Sequence, residues 1–143
     1  KRAPPYPLTA DNFIKAIVTR SKLKVEFDDD KKVITVITPA GNKIIISDDG
    51  KSILITDQTK NKIELNTGGI VMDSPKDISI SAKGKISIDA VGEISVSSKA
   101  DVKVEGLNIL ANAKVGITAK GAATAELSAG GTTTVKGAMV LIN

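Results

Sequence analysis

The side chains that carry most enzyme chemistry are missing from this chain. Its 143 residues include no His and no Cys. That excludes imidazole acid–base catalysis, thiol nucleophiles, disulfides and Cys/His zinc sites. Two carboxylate runs remain, Asp28-Asp29-Asp30 and Asp48-Asp49. Carboxylate oxygens bind calcium, but neither run has the ligand spacing of a calcium loop. Asp also bonds its own backbone and tolerates turn geometry, so both runs read as turns. A carboxylate pair can hydrolyse a glycoside, but that needs a shaped pocket, normally with sugar-stacking aromatics. The three aromatics, Tyr6, Phe13 and Phe27, all lie in the first 27 residues. Gly50-Lys51-Ser52 lacks the glycine spacing of a phosphate loop. Thr132-Thr133-Thr134 fits cross-strand packing and hydrogen bonding on a strand. No catalytic residue, cofactor or metal is expected, and the chain does not read as an enzyme.

The elements that position these residues are more informative. Hydrophobic residues make up 41 %, in the globular range, yet aromatics only 2 %. A core built from Ile, Val, Leu and Ala without rings is expected to be thin. The net charge of +4 is spread among alternating Lys, Asp, Glu and Ser, with no basic run beyond pairs such as Lys31-Lys32. Nucleic-acid binding wants a clustered patch, so no nucleic-acid partner is expected. No apolar run approaches the roughly 20 residues that span a bilayer as a helix. The sequence begins at Lys1 rather than Met, which reads as a piece of a longer or processed chain.

Three zones follow. Residues 1–21 read as a linker or the end of an upstream domain, because Pro4, Pro5 and Pro7 forbid helix or central strand. Within it, 11–18 could form one short helical turn or a strand, and they read as loop-like. Residues 22–69 read as a neck of antiparallel strands. The β-prone runs Lys22–Phe27, Val33–Thr38, Lys43–Ser47, Ser52–Thr56 and Lys62–Asn66 are each followed by Asp, Asn or Gly turns about every ten residues. Residues 70–143 form an eight-residue repeat. Ile70, Ile78, Ile86, Ile94 and Val102 mark its period, and within each unit alternate positions are apolar or small. Ile78, Ile80, Ala82 and Gly84 make one unit, and Ile86, Ile88, Ala90 and Gly92 the next. The phase slips near Gly106 and the octads resume at Leu107.

Alternation puts every second residue on one face of a strand, and the small residue closing each unit permits a corner. A strand and a corner every eight residues wind about an axis as a β-helix. A single chain would form only about three coils of this kind, with no cap, and would end on an uncovered apolar strand. Three intertwined chains would instead close every ladder. The expected fold is all-β: a short antiparallel meander leading into an intertwined triple-stranded β-helix, a homotrimeric prism. Its core would hold Ile78, Ile80, Ile86, Ile88, Ile94, Val96, Val102, Val104, Ile109, Val115 and Ile117. Its tip, three copies of Met139, Val140, Leu141, Ile142 and Asn143, is the expected partner-binding face.

The order of several short runs resembles the spike region of VgrG proteins of type VI secretion systems. These are Lys15-Ala16-Ile17, Thr19-Arg20-Ser21, Glu26-Phe27-Asp28-Asp29, Gly41-Asn42-Lys43-Ile44, Asp48-Asp49-Gly50-Lys51-Ser52-Ile53, Asn61-Lys62-Ile63, Gly69-Ile70, Asp77–Ala82 and the terminal Lys136–Asn143. The chain departs at Lys22-Leu23, where many relatives carry Gly-His. Contractile-phage central spikes share the architecture. The resemblance covers residues from about 12 to 143. It implies a membrane-puncturing spike assembled in the cytoplasm and then injected into a target cell. It also implies a PAAR-repeat tip protein or effector at the C-terminal face, tube and hub proteins upstream, and only transient membrane contact. The other function to weigh is a trimeric phage tail-fibre or adhesin shaft that binds a receptor or glycan. That reading calls for aromatic or clustered polar residues, which the octads lack.

Overall fold

A computed structural model describes residues 6–7 and 9–142. The linker run Lys1–Pro5 and the terminal Asn143 lie outside the described residues. Contacts along the chain divide it into Lys1–Ile88 and Asp89–Asn143.

The first unit carries one seven-stranded antiparallel sheet and, among its described residues, no helix: β1 (Ile14–Val18), β2 (Lys24–Asp28), β3 (Val33–Ile37), β4 (Lys43–Ser47), β5 (Ser52–Thr56), β6 (Lys62–Asn66) and β7 (Gly69–Asp73). Each strand pairs with the next in sequence, so the sheet is an open meander with β1 and β7 at its edges. The all-β meander expected from the sequence is therefore present. Its strands run from Ile14 to Asp73, one strand beyond the expected neck at each end. The loop-like reading of 11–18 is corrected, because Ile14–Val18 is a strand paired along its length with Lys24–Asp28. Apolar side chains stand on both of its faces, Ala16 on one and Ile17 on the other, which hid the alternation that marks a strand.

Each of the six turns holds one residue of positive φ: Lys22 (67°), Lys32 (52°), Gly41 (97°), Lys51 (46°), Lys60 (71°) and Gly69 (122°). A tight turn closed by one left-handed residue matches the twist of a hairpin. Four of these positions carry Lys, although a side chain there is strained.

The turns also repeat. Ile14, Val33 and Ser52 open strands 19 residues apart, as do Lys24, Lys43 and Lys62. At one end of the sheet Thr19, Thr38 and Asp57 start equivalent turns. Their carbonyls accept the N–H of Lys22, Gly41 and Lys60 at 3.0–3.1 Å. Their side-chain oxygens accept the N–H of Leu23 (3.1 Å), Asn42 (3.2 Å) and Asn61 (2.8 Å). The sheet is three copies of one hairpin plus a last strand.

Past Asp73 the chain is extended and bends at regular intervals. The bends fall at Pro75–Lys76, Lys83–Gly84, Val91–Gly92, Lys99–Ala100, Leu107, Lys114–Val115, Ala122–Ala123, Gly130–Gly131 and Ala138. Every step is eight residues except one of seven, between Leu107 and Lys114. The octads are therefore present as corners. The short step explains the phase slip: with a side-chain period of two, an odd step moves the apolar set from even to odd positions.

Candidate functional site

The sheet register builds the first part of the site. It aligns Ile17, Val25, Val36, Ile44, Ile55, Ile63 and Met72 in one row across all seven strands. Two residues along, it aligns Lys15, Phe27, Ile34, Ile46, Ile53, Leu65 and Ile70. Both rows lie on one face, and only Lys15 interrupts them. No other layer covers this face: the apolar side chains of β3 to β6 that point there are each 37–42 % exposed. A groove of about 510 Å³ runs along the first row past Met72 to Ile78. The polar groups at its rim bind one another.

Those rim groups form a clasp. Asp57 Oδ1 accepts the N–H of Thr59 and of Asn61, both at 2.8 Å. Asp57 Oδ2 accepts Thr59 Oγ1 (2.6 Å) and Asn61 Nδ2 (2.8 Å). Asn42 Oδ1 accepts the N–H of Gln58 at 3.2 Å, which ties this turn to the preceding hairpin. Ser74 Oγ donates to Asn61 Oδ1 at 2.6 Å, which fixes the chain as it leaves β7. The bond from Thr59, followed by those from Asn61, holds the Asp57 carboxyl below the usual aspartate range against an opposing cost of desolvation. The 19-residue repeat places Asn42 and Asn61 at equivalent turn positions, but it does not mark their bonds to Gln58 and Ser74.

The opposite face of the sheet is mixed. Ile45 and Leu54 lie beside ion pairs of Lys24 with Glu26 (3.0 Å) and Lys62 with Glu64 (3.2 Å). Tyr6 donates to Glu26, and the Lys24 ammonium lies 5.8 Å from its ring centre. Asn66, then Lys62, lower the Glu64 carboxyl below its usual range. These pairs are 22–33 % exposed, and ion pairs this near the surface contribute little to stability.

The octads build the second part. The first bulky residue of each early unit, Ile78, Ile86, Ile94 and Val102, is 51–55 % exposed, and the second, Ile80, Ile88, Val96 and Val104, 69–77 %. The repeat is thus structurally even up to the short step. Beyond it Ile109, Val115 and Ile117 are also exposed, as are Met139, Val140, Leu141 and Ile142 at the tip. The expected core residues keep one alternation up to Val104 and the opposite parity from Ile109, and the chain buries none of them. Among the described residues after Asp73 there is no strand pairing.

Of the acidic runs, Asp28 Oδ1 accepts the N–H of Lys31 at 3.0 Å and Asp29 pairs with Lys15. Among the described residues no three His, Cys, Asp or Glu side chains converge to hold a metal. No described helix is long and apolar enough to cross a membrane. No protein-family model matches the chain, and no curated protein matches it as a relative.

Proposed function

We propose that this chain is one of three identical subunits of a membrane-puncturing spike of the VgrG kind, at the front of a contractile injection machine. The observation that carries this reading is an extended backbone that turns a corner every eight residues, with one step of seven, and has no partner strand among the described residues. Backbone N–H and C=O groups need partners once they leave water. Three copies wound about one axis would supply each strand's partners and cover the apolar alternation at the same time.

Surface area supports this. A compact monomer of 14.8 kDa exposes about 7,000 Å². The chain exposes 13751 Å², nearly twice that, and none of its described residues is buried. A chain that buries so little cannot offset its conformational entropy alone. The two apolar rows of the sheet form a stripe two residues wide across the strands, which partner copies would cover as well. Each Ile that entered a shared interior would contribute about 1.5–3 kcal/mol.

The mechanism in this reading is mechanical. Ladders closed between chains resist bending and unfolding, so a sheath contracting behind the spike would drive it forward as one body. Hub and tube proteins would join it upstream of Lys1. Residues 139–143 would form the apolar end that carries a PAAR-repeat tip protein or an effector. Pull-down of a PAAR-repeat protein by trimer-sized particles tests the assignment. Capture by the full chain, and loss of capture on deletion of residues 139–143, is the expected result. Unchanged capture after the deletion would contradict it. Saturable binding of a soluble glycan would favour the tail-fibre or adhesin shaft instead.

A further inference from the structure

The seven-residue step also divides the octads by charge. From Asp77 to Glu105 the outward positions are the odd ones, and nine of these 15 residues are charged. From Asn108 to Ile142 they are the even ones, and only four of 18 are charged: Lys114, Lys120, Glu126 and Lys136. The others are Thr, Ser, Asn, Gly, Ala, Leu110, Val140 and Ile142. No inward position carries a charge in either stretch. The contrast is therefore confined to the outer surface, and it coincides with the step between Leu107 and Lys114.

We infer that Leu107–Ile142 is the lipid-contacting segment of the spike, and that the charged stretch ending at Glu105 limits how deep it enters a bilayer without the push of a contracting sheath. This rests on the trimeric spike reading. Charges are the side chains that hydrocarbon excludes most strongly, so removing them from the outer face lowers the barrier to entry. The long stems of Lys114, Lys120 and Lys136 let their ammonium groups reach back towards the headgroups. Three Lys against one Glu also suits an anionic surface.

Length agrees with partial entry. In a triple-wound helix each octad advances by about one strand spacing, roughly 4.8 Å, so this stretch spans roughly 20 Å. The hydrocarbon core is about 30 Å thick. The tip would pass the midplane before the charged stretch met the headgroups.

The absence of Cys permits single-site labelling of the whole chain. Ser95→Cys and Thr124→Cys place a fluorophore on outward positions on either side of the step. The probe is vesicles of phosphatidylethanolamine and phosphatidylglycerol with nitroxide on the acyl chains, and the particle mass is measured on the same sample. The inference expects a trimer that loses most of its fluorescence at 124 and little at 95, with the loss kept in phosphatidylcholine vesicles. Thr132→Glu with Thr134→Glu should abolish the loss while the trimer mass is retained. A trimer unquenched at 124, one quenched equally at both sites, or quenching only with anionic lipid overturns this inference and leaves the spike standing. A monomer overturns the spike reading, and this inference with it.

Discussion

The sheet of Ile14–Asp73 and the octads that follow solve different parts of the same folding problem. The sheet joins its own backbone, each strand to the next, and leaves one apolar face uncovered. The octads join nothing of their own and leave both backbone and side chains open. A hairpin needs only a turn, and six turns with a left-handed residue make this sheet local. The octads find no partner strand among the described residues, and in the proposed spike the other two copies supply it. The sheet lacks only a cover, and the octads lack both a cover and a ladder.

The sharpest way to break this contrast is to charge the octads. Ile86→Asp would set three carboxylates against one another in a dry interior. The expected outcome is loss of the trimer in analytical ultracentrifugation, and a retained trimer would refute the shared interior. In the sheet, Ile44→Ala asks whether the first apolar row is covered. A covered position should cost about 2–5 kcal/mol per chain in denaturant unfolding. A row facing water should change stability by no more than about 0.5 kcal/mol.

Smaller effects belong to the turns, which should matter to the sheet alone. Lys51→Gly and Lys60→Gly relieve left-handed strain at φ 46° and 71°. Each should stabilise the hairpins by about 0.5 kcal/mol, the relief being partly offset by a freer unfolded chain. Thermal unfolding of the two variants checks this. The weakest effect is the acid response of the clasp. The Asp57 carboxyl is held below its usual range by Thr59 and Asn61, so its contribution is present above the ordinary aspartate value. It is lost as pH falls through the lowered one. The stability difference between the parent chain and Asp57→Asn should therefore shrink in acid, and a difference that grows there would contradict the assignment.

Much of this was legible in the sequence. Lys43–Ser47, Ser52–Thr56 and Lys62–Asn66 could be read as strands because Ile and Leu alternate with polar residues between Asp and Asn turns. The corners were legible because Gly84, Gly92 and Ala100 recur at one step of the octad. β1 was not, since Lys15 and Ala16 are weak strand formers and its apolar residues face both ways. The clasp was not legible either. It depends on Asn42, Asn61 and Ser74 meeting across the register, and no local pattern states that. The slip near Gly106 could be seen in the sequence, but its cause, one step shortened by a residue, is a property of the backbone path.

Light scattering of the purified chain is the most direct measurement of the central claim, that this fold is completed only between copies. A well-folded particle of three times the 14.8 kDa chain mass, unfolding as a unit, is the predicted result. A folded particle of 14.8 kDa with a cooperative transition would contradict it, because that chain would have found inside itself the cover and the ladders assigned here to its partners.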